Sequence, residues 1–215
     1  MLKGVVLVLC LFGTFNTGFA KNNEDLQQIL RNSLLNRWQG AFNDVNKQGE
    51  KNVKADFSWT DCSGSTNPAV KVKSLTLGPN PLRIPGNITL ATEGDVSVDL
   101  TSPIQLDLEV KKKILFWITI PCVDNLGSCS YPDICPMLEK AMPTCPPEFT
   151  KYNIPCHCPV KKGSYSLPSS QIFVDPKESI PSWLEKGEYQ AQATLKQNGQ
   201  ELFCMKINMS IEPAK

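Results

Sequence analysis

Histidine is nearly missing: the chain of 215 residues contains one, His157. A Ser-His-Asp or Cys-His relay needs an imidazole beside its nucleophile, and histidine-rich metal sites need several, so most such chemistry is excluded. An excess of charge of either sign is missing too, with 22 Lys and Arg against 21 Asp and Glu. Nucleic acid demands clustered basic side chains against its phosphates, so no nucleic-acid partner is expected. Nor does the chain carry the roughly 20 consecutive apolar residues that span a bilayer. The longest run, Gly4 to Phe15, has 12 residues. It follows Lys3 and precedes Gly18-Phe19-Ala20, the order of a secretory signal cut after Ala20. Charged residues at 20% and hydrophobic ones at 41% argue against wholesale disorder.

What is present is cysteine. Cys10 lies in the leader, and eight remain: Cys62, Cys122, Cys129, Cys135, Cys145, Cys156, Cys158 and Cys204. An even count in a secreted chain reads as four disulfides, although spacing alone allows about 105 pairings. The rival is a zinc site on Cys156-His157-Cys158. Zinc sites use longer spacings and secretion favours oxidation, so disulfides are expected and neither metal nor cofactor is. Two glycosylation sequons fit the same compartment, Asn87-Ile88-Thr89 after a Pro-Gly turn and Asn208-Met209-Ser210 inside a strand-like run. The second is the weaker. The expected localisation is secreted or lysosomal.

Three segments follow: a signal peptide at 1–20, a helical extension and linker at 21–56, and a β domain at 57–215. Within the second, Leu26, Ile29, Leu30, Leu34, Leu35, Trp38, Phe42 and Val45 recur at helical spacing and predict an amphipathic helix over 24–47. Its polar face is neutral, which favours packing on protein over lying on anionic lipid.

From Phe57 the period changes to two. Ile104, Leu106, Leu108 and Val110 alternate with polar residues, as do Tyr189 to Leu195 and Phe203 to Ile211. Half-buried strands divided by turns such as Asn198-Gly199 predict an antiparallel sandwich or cup. A short helix is expected around Ile134–Met142. Parity carries one bridge. Cys62 falls opposite Phe57 and Trp59, and Cys204 opposite Phe203 and Met205, so both read as outward positions. A Cys62–Cys204 staple joining the first and last strands outside the core is expected.

Two apolar stretches break the alternation. Ile114-Leu115-Phe116-Trp117-Ile118-Thr119-Ile120 is apolar on both faces and reads first as a central buried strand; it could also border a lipid cavity or expose its tip to a membrane. Ile172-Phe173-Val174 and Ile180-Pro181-Ser182-Trp183-Leu184 lie in an expected loop. Trp183 there suits a membrane–water interface or folds back over the barrel mouth.

The residues together resemble the ganglioside GM2 activator family. The matching blocks are Phe57-Ser58-Trp59-Thr60-Asp61-Cys62, Asn67-Pro68-Ala69-Val70, Pro85-Gly86-Asn87-Ile88-Thr89-Leu90, Trp117-Ile118-Thr119-Ile120-Pro121-Cys122, Pro155-Cys156-His157-Cys158-Pro159 and Pro181-Ser182-Trp183-Leu184. They occur in family order from residue 57 to about 211. The resemblance implies an all-β, eight-stranded antiparallel cup with an apolar cavity, and bridges Cys62–Cys204, Cys122–Cys129, Cys135–Cys158 and Cys145–Cys156. It places apolar, lipid-binding or membrane-facing loops on Ile114, Leu115, Phe116 and Trp117, and on Val174, Ile180, Trp183 and Leu184. It implies a protein that is not an enzyme. Such a protein extracts a glycosphingolipid during transient contact with a membrane surface and presents it to a β-hexosaminidase. The runner-up is a secreted interaction module that carries a lipid signal or modulates lipases. The 24–47 helix and the run Lys111-Lys112-Lys113 depart from the family pattern.

Overall fold

The computed structural model describes residues 56–65, 67–123, 125–174 and 186–214. The signal peptide at 1–20 and the helix at 24–47 lie outside them, as do Ile180, Trp183 and Leu184.

Ten strands and two short helices make up the described residues. Strands β1 (Ser58–Asp61), β2 (Val70–Gly78), β3 (Leu82–Ile84), β4 (Gly86–Val96), β5 (Gln105–Lys113), β6 (Trp117–Thr119) and β7 (Ser130–Tyr131) come first. Helices α1 (Cys135–Ala141) and α2 (Pro147–Lys151) intervene before β8 (Gly163–Val174), β9 (Gly187–Gln197) and β10 (Gln200–Pro213). One sheet runs β1-β10-β9-β5-β6, with β3 on β10 and β7 on β5; the other runs β2-β4-β8. Every pairing is antiparallel except β3 with β10. The short β3 and β7 bring the implied eight strands to ten.

The expected alternation sets the faces. Opposed residues share a face, so the register lays Leu106 beside Leu195, Leu108 beside Ala193 and Val110 beside Ala191. It continues to Phe203, Met205 and Ile207 on β10. These side chains meet Val70, Leu77, Ile88, Leu90 and Leu167 of the other sheet in one apolar core. Each large side chain buried there stabilises by about 1.5–3 kcal/mol. At the far end of β9, Asn198 (φ 51°) and Gly199 (φ 77°) both take positive φ, the geometry a two-residue hairpin with right-handed strand twist requires.

Residues 122–158 have little sheet to hold them, and three bridges do so: Cys122–Cys129, Cys135–Cys158 and Cys145–Cys156. The carboxylate of Asp133 accepts the Ile104 and Cys135 amide N–H groups at 3.1 and 3.0 Å, fixing the start of α1. Fully buried Phe149 anchors α2.

The fourth bridge, Cys62–Cys204, joins β10 to the chain just after β1. Its setting corrects the parity reading in one respect. Cys204 is on the outer face but only 3% exposed. The chain after β1 folds over it: Cys204 N–H donates to Ser63 Oγ at 3.0 Å, and Cys62 N–H donates to the Cys204 carbonyl at 3.1 Å.

Candidate functional site

The segment Ile114–Ile120 is not a central buried strand. Strand β5 ends at Lys113, and the chain reverses so that Lys113 faces Trp117 and Lys112 faces Ile118 on β6. Because β6 ends the main path of its sheet, its apolar residues are not enclosed between strands. Leu115 and Phe116 form the tip of this hairpin, 75% and 67% exposed. The Ile114 amide N–H donates to the Phe116 carbonyl at 3.1 Å and closes the turn. Ile114 is half-buried beneath it.

Trp117 faces outward, 40% exposed. Lys113 Nζ sits 6.0 Å from its ring centroid and 2.9 Å from Glu188 Oε2, so an indole, an ammonium and a carboxylate line up across β6, β5 and β9. Such a girdle suits the polar boundary of a membrane, with the bare tip beyond it.

Among the expected loop residues, Val174 is placed differently. It is the last residue of β8, buried and opposite Gly86. Its neighbour Phe173 is the exposed one, at 63%, and lies opposite Asn87. A bulge between Leu90 and Thr92 shifts the β4–β8 register and sets which side chain of the Ile172-Phe173-Val174 run points out.

The basic run separates by parity. Lys111 pairs with Glu109 at 3.1 Å, and Lys113 pairs with Glu188 as above. Lys112 continues the inward phase of Leu106, Leu108 and Val110 and is 7% exposed. Its ammonium lies 5.5 Å from the ring centroid of Tyr189, the residue directly opposite on β9. Burial lowers its pKa from the usual 10.5 to about 8 and pushes the Tyr189 phenol upward. Gly187 makes the position possible, because a Cβ there would stand 2.7 Å from Lys112 Cε. Its φ of 150° also disfavours any other residue. The apolar residues were the sequence's evident signal; the inward lysine was legible only through its parity with Leu108 and Val110.

The Cys145, Cys156 and His157 ligand atoms all lie within 4.8 Å of one another. Cys145 and Cys156 are joined as a disulfide, and His157 Nε2 donates to the Met142 carbonyl at 2.6 Å. These engagements make the histidine a brace across the disulfide-rich segment. Of the sequon residues, Asn87 is exposed on β4. Asn208 is half-buried, donating to Ser58 Oγ and accepting from Gln190 Nε2, both at 3.0 Å. A glycan on its amide would compete with the first of these.

The model of the ML domain family matches residues 56–211. Ganglioside GM2 activators from Mus musculus and Macaca fascicularis are each 44% identical over 160 residues. Those matches cover 73% of this chain and 82% and 83% of the relatives. A putative phosphatidylglycerol/phosphatidylinositol transfer protein from Dictyostelium discoideum is 24% identical over 153 residues, covering 68% of this chain and 80% of that one. From residue 56 onward, with its four bridges and facing sheets, the chain belongs to the ML domain family and within it to the ganglioside GM2 activator family.

Proposed function

We propose that this protein binds a lipid with its acyl chains between the two sheets, extracts it from membranes and carries it without breaking a bond. The cargo class is glycosphingolipid, and the lipid is presented to a glycosidase, a β-hexosaminidase by analogy with the activator relatives. The compartment is secreted or lysosomal, in keeping with the leader and the four disulfides.

One observation carries the reading: a bare Leu115–Phe116 tip projects from the same hairpin whose inward residues join the apolar core. An 18-carbon chain exposed to water costs on the order of 14 kcal/mol at about 0.8 per CH₂, so unassisted transfer is prohibitive. An apolar enclosure removes most of that cost. The inner side chains are covered here, Ala191 and Met205 completely, so an entering acyl chain must displace what covers them. Docking the tip in a bilayer supplies an apolar surface against which such opening is cheap.

The test mixes purified protein with vesicles carrying a labelled glycosphingolipid. Extraction into a soluble complex and transfer to acceptor vesicles are expected, as is faster cleavage of vesicle-bound substrate by added β-hexosaminidase. Neither extraction nor transfer would end the lipid reading; transfer without faster cleavage would remove the hydrolase alone.

A further inference from the structure

We infer that Phe173 is the platform for an N-linked glycan on Asn87, whose first N-acetylglucosamine lies on the phenyl ring across the β4–β8 pair. The inference rests on passage through a secretory route and is independent of the proposed lipid binding.

Register is the first support. Asn87 and Phe173 are direct cross-strand partners and both are exposed, whereas Ile88, Leu90 and Val174 turn inward. Opposed side chains on one face of an antiparallel pair have Cβ atoms about 4.5–5.5 Å apart. A sugar on the Asn87 amide therefore starts beside the ring. The bulge between Leu90 and Thr92 sets this register, and so sets which residue of β8 stands next to the sequon.

Room is the second. On the other side of β4, β2 ends at Gly78, opposite Thr89, so among the described residues no strand partner flanks Asn87 there. A Cβ at Gly78 would meet nothing within 4 Å. Among the described residues no hydrogen bond holds the Asn87 amide, while that of Asn208 is engaged at both ends.

Chemistry is the third. In the modification, Asn87 Nδ2 bonds to the anomeric carbon of the sugar. The bond from that carbon to a lipid-linked pyrophosphate donor breaks, the pyrophosphate leaves with the electron pair, and the amide gives up one proton. The outer-face neighbours of Phe173 in the pair are Asn87, Thr89 and Gln171, all polar. One ring with a polar surround matches a pyranose, whose C–H face meets the negative face of the ring while its hydroxyls stay in water. The Leu115–Phe116 tip differs, offering two adjacent bare apolar side chains.

The experiment uses the full chain secreted from a eukaryotic cell line. Mass spectrometry of the Asn87 peptide should find it occupied. Denaturant titration then compares glycosylated protein with Asn87→Gln, in the unaltered and the Phe173→Ser backgrounds. The glycan should raise the folding equilibrium constant roughly threefold to tenfold more when Phe173 is present, the scale of an aromatic contact. Phe173→Trp should retain the gain, and so should trimming by endoglycosidase to a single N-acetylglucosamine. In the unaltered protein, protons of the first sugar should show upfield ring-current shifts, a readout that needs no variant to fold. An unmodified Asn87, an equal gain in both backgrounds, loss of the gain on trimming, or unshifted sugar protons overturns the inference. Vesicle flotation that falls with Phe173→Ser while the Asn87 glycan is in place also overturns it, giving the ring to the bilayer instead.

Discussion

Lys112 is where the chain's ionisation should be felt in its stability. A lysine whose folded pKa is about 8 against an ordinary 10.5 binds fewer protons folded than unfolded between those values. Stability therefore rises with pH across that window, and the burden is fully present below about pH 8. The lowering corresponds to about 3 kcal/mol. Chemical unfolding followed from pH 7 to 10.5 should show the unaltered protein gaining on Lys112→Met, with the variant the more stable at pH 7 by up to about that amount. Parallel curves would show the ammonium to be better solvated than its position implies. Sequence alone could place this residue by parity, but not its shelter. The space over Gly187 depends on a strand contributed 75 positions later in the chain, and a local pattern carries no trace of that pairing.

At the level of elements, β5, β9 and β10 were legible because each buries one face and wets the other, which writes itself as alternation. Ile114–Ile120 was not. An apolar run looks the same at the heart of a sheet and at the tip of an edge hairpin, since periodicity does not record what lies opposite. Val174 was misplaced for a related reason: a bulge reverses the phase of β8, and nothing in its composition announces it. The β5–β6 tip now has a clear expectation. Replacing Leu115 and Phe116 together with Ser should weaken vesicle binding and slow transfer tenfold or more, because each side chain contributes on the order of 1 kcal/mol or more when it enters the bilayer. Folding stability should move by about 0.5 kcal/mol or less, since both residues are exposed. Flotation of the variant with vesicles, beside its denaturation curve, separates the two effects. Unaltered flotation would remove the tip from the docking surface.

For the molecule as a whole, the bridge between Cys62 and Cys204 spans 142 positions and ties the opening strand to the closing one. Parity found this pair because Cys204 lies on β10 and Cys62 directly follows β1, its antiparallel neighbour; the other three bridges lie where strand signals fade, and only family resemblance implied them. Cross-linking so long a loop restricts the unfolded chain strongly, so Cys62→Ala with Cys204→Ala should cost about 3–5 kcal/mol by denaturant titration. A loss under 1 kcal/mol would mean that the β1–β10 hydrogen bonds hold the edge unaided.

The same antiparallel pairing decides where the described chain starts and stops. Ser58 lies opposite Asn208, and Gly187 opposite Ile211, so the beginning of β1 and the end of β10 both point towards the end of the sheet that carries the β5–β6 tip. The Asn198-Gly199 hairpin is at the opposite pole. An affinity tag or dye fused near residue 56 or after residue 213 would therefore sit at the same end as the Leu115–Phe116 tip and compete with a membrane at the proposed docking surface. Handles for immobilising or tracking the protein belong on the distal hairpin.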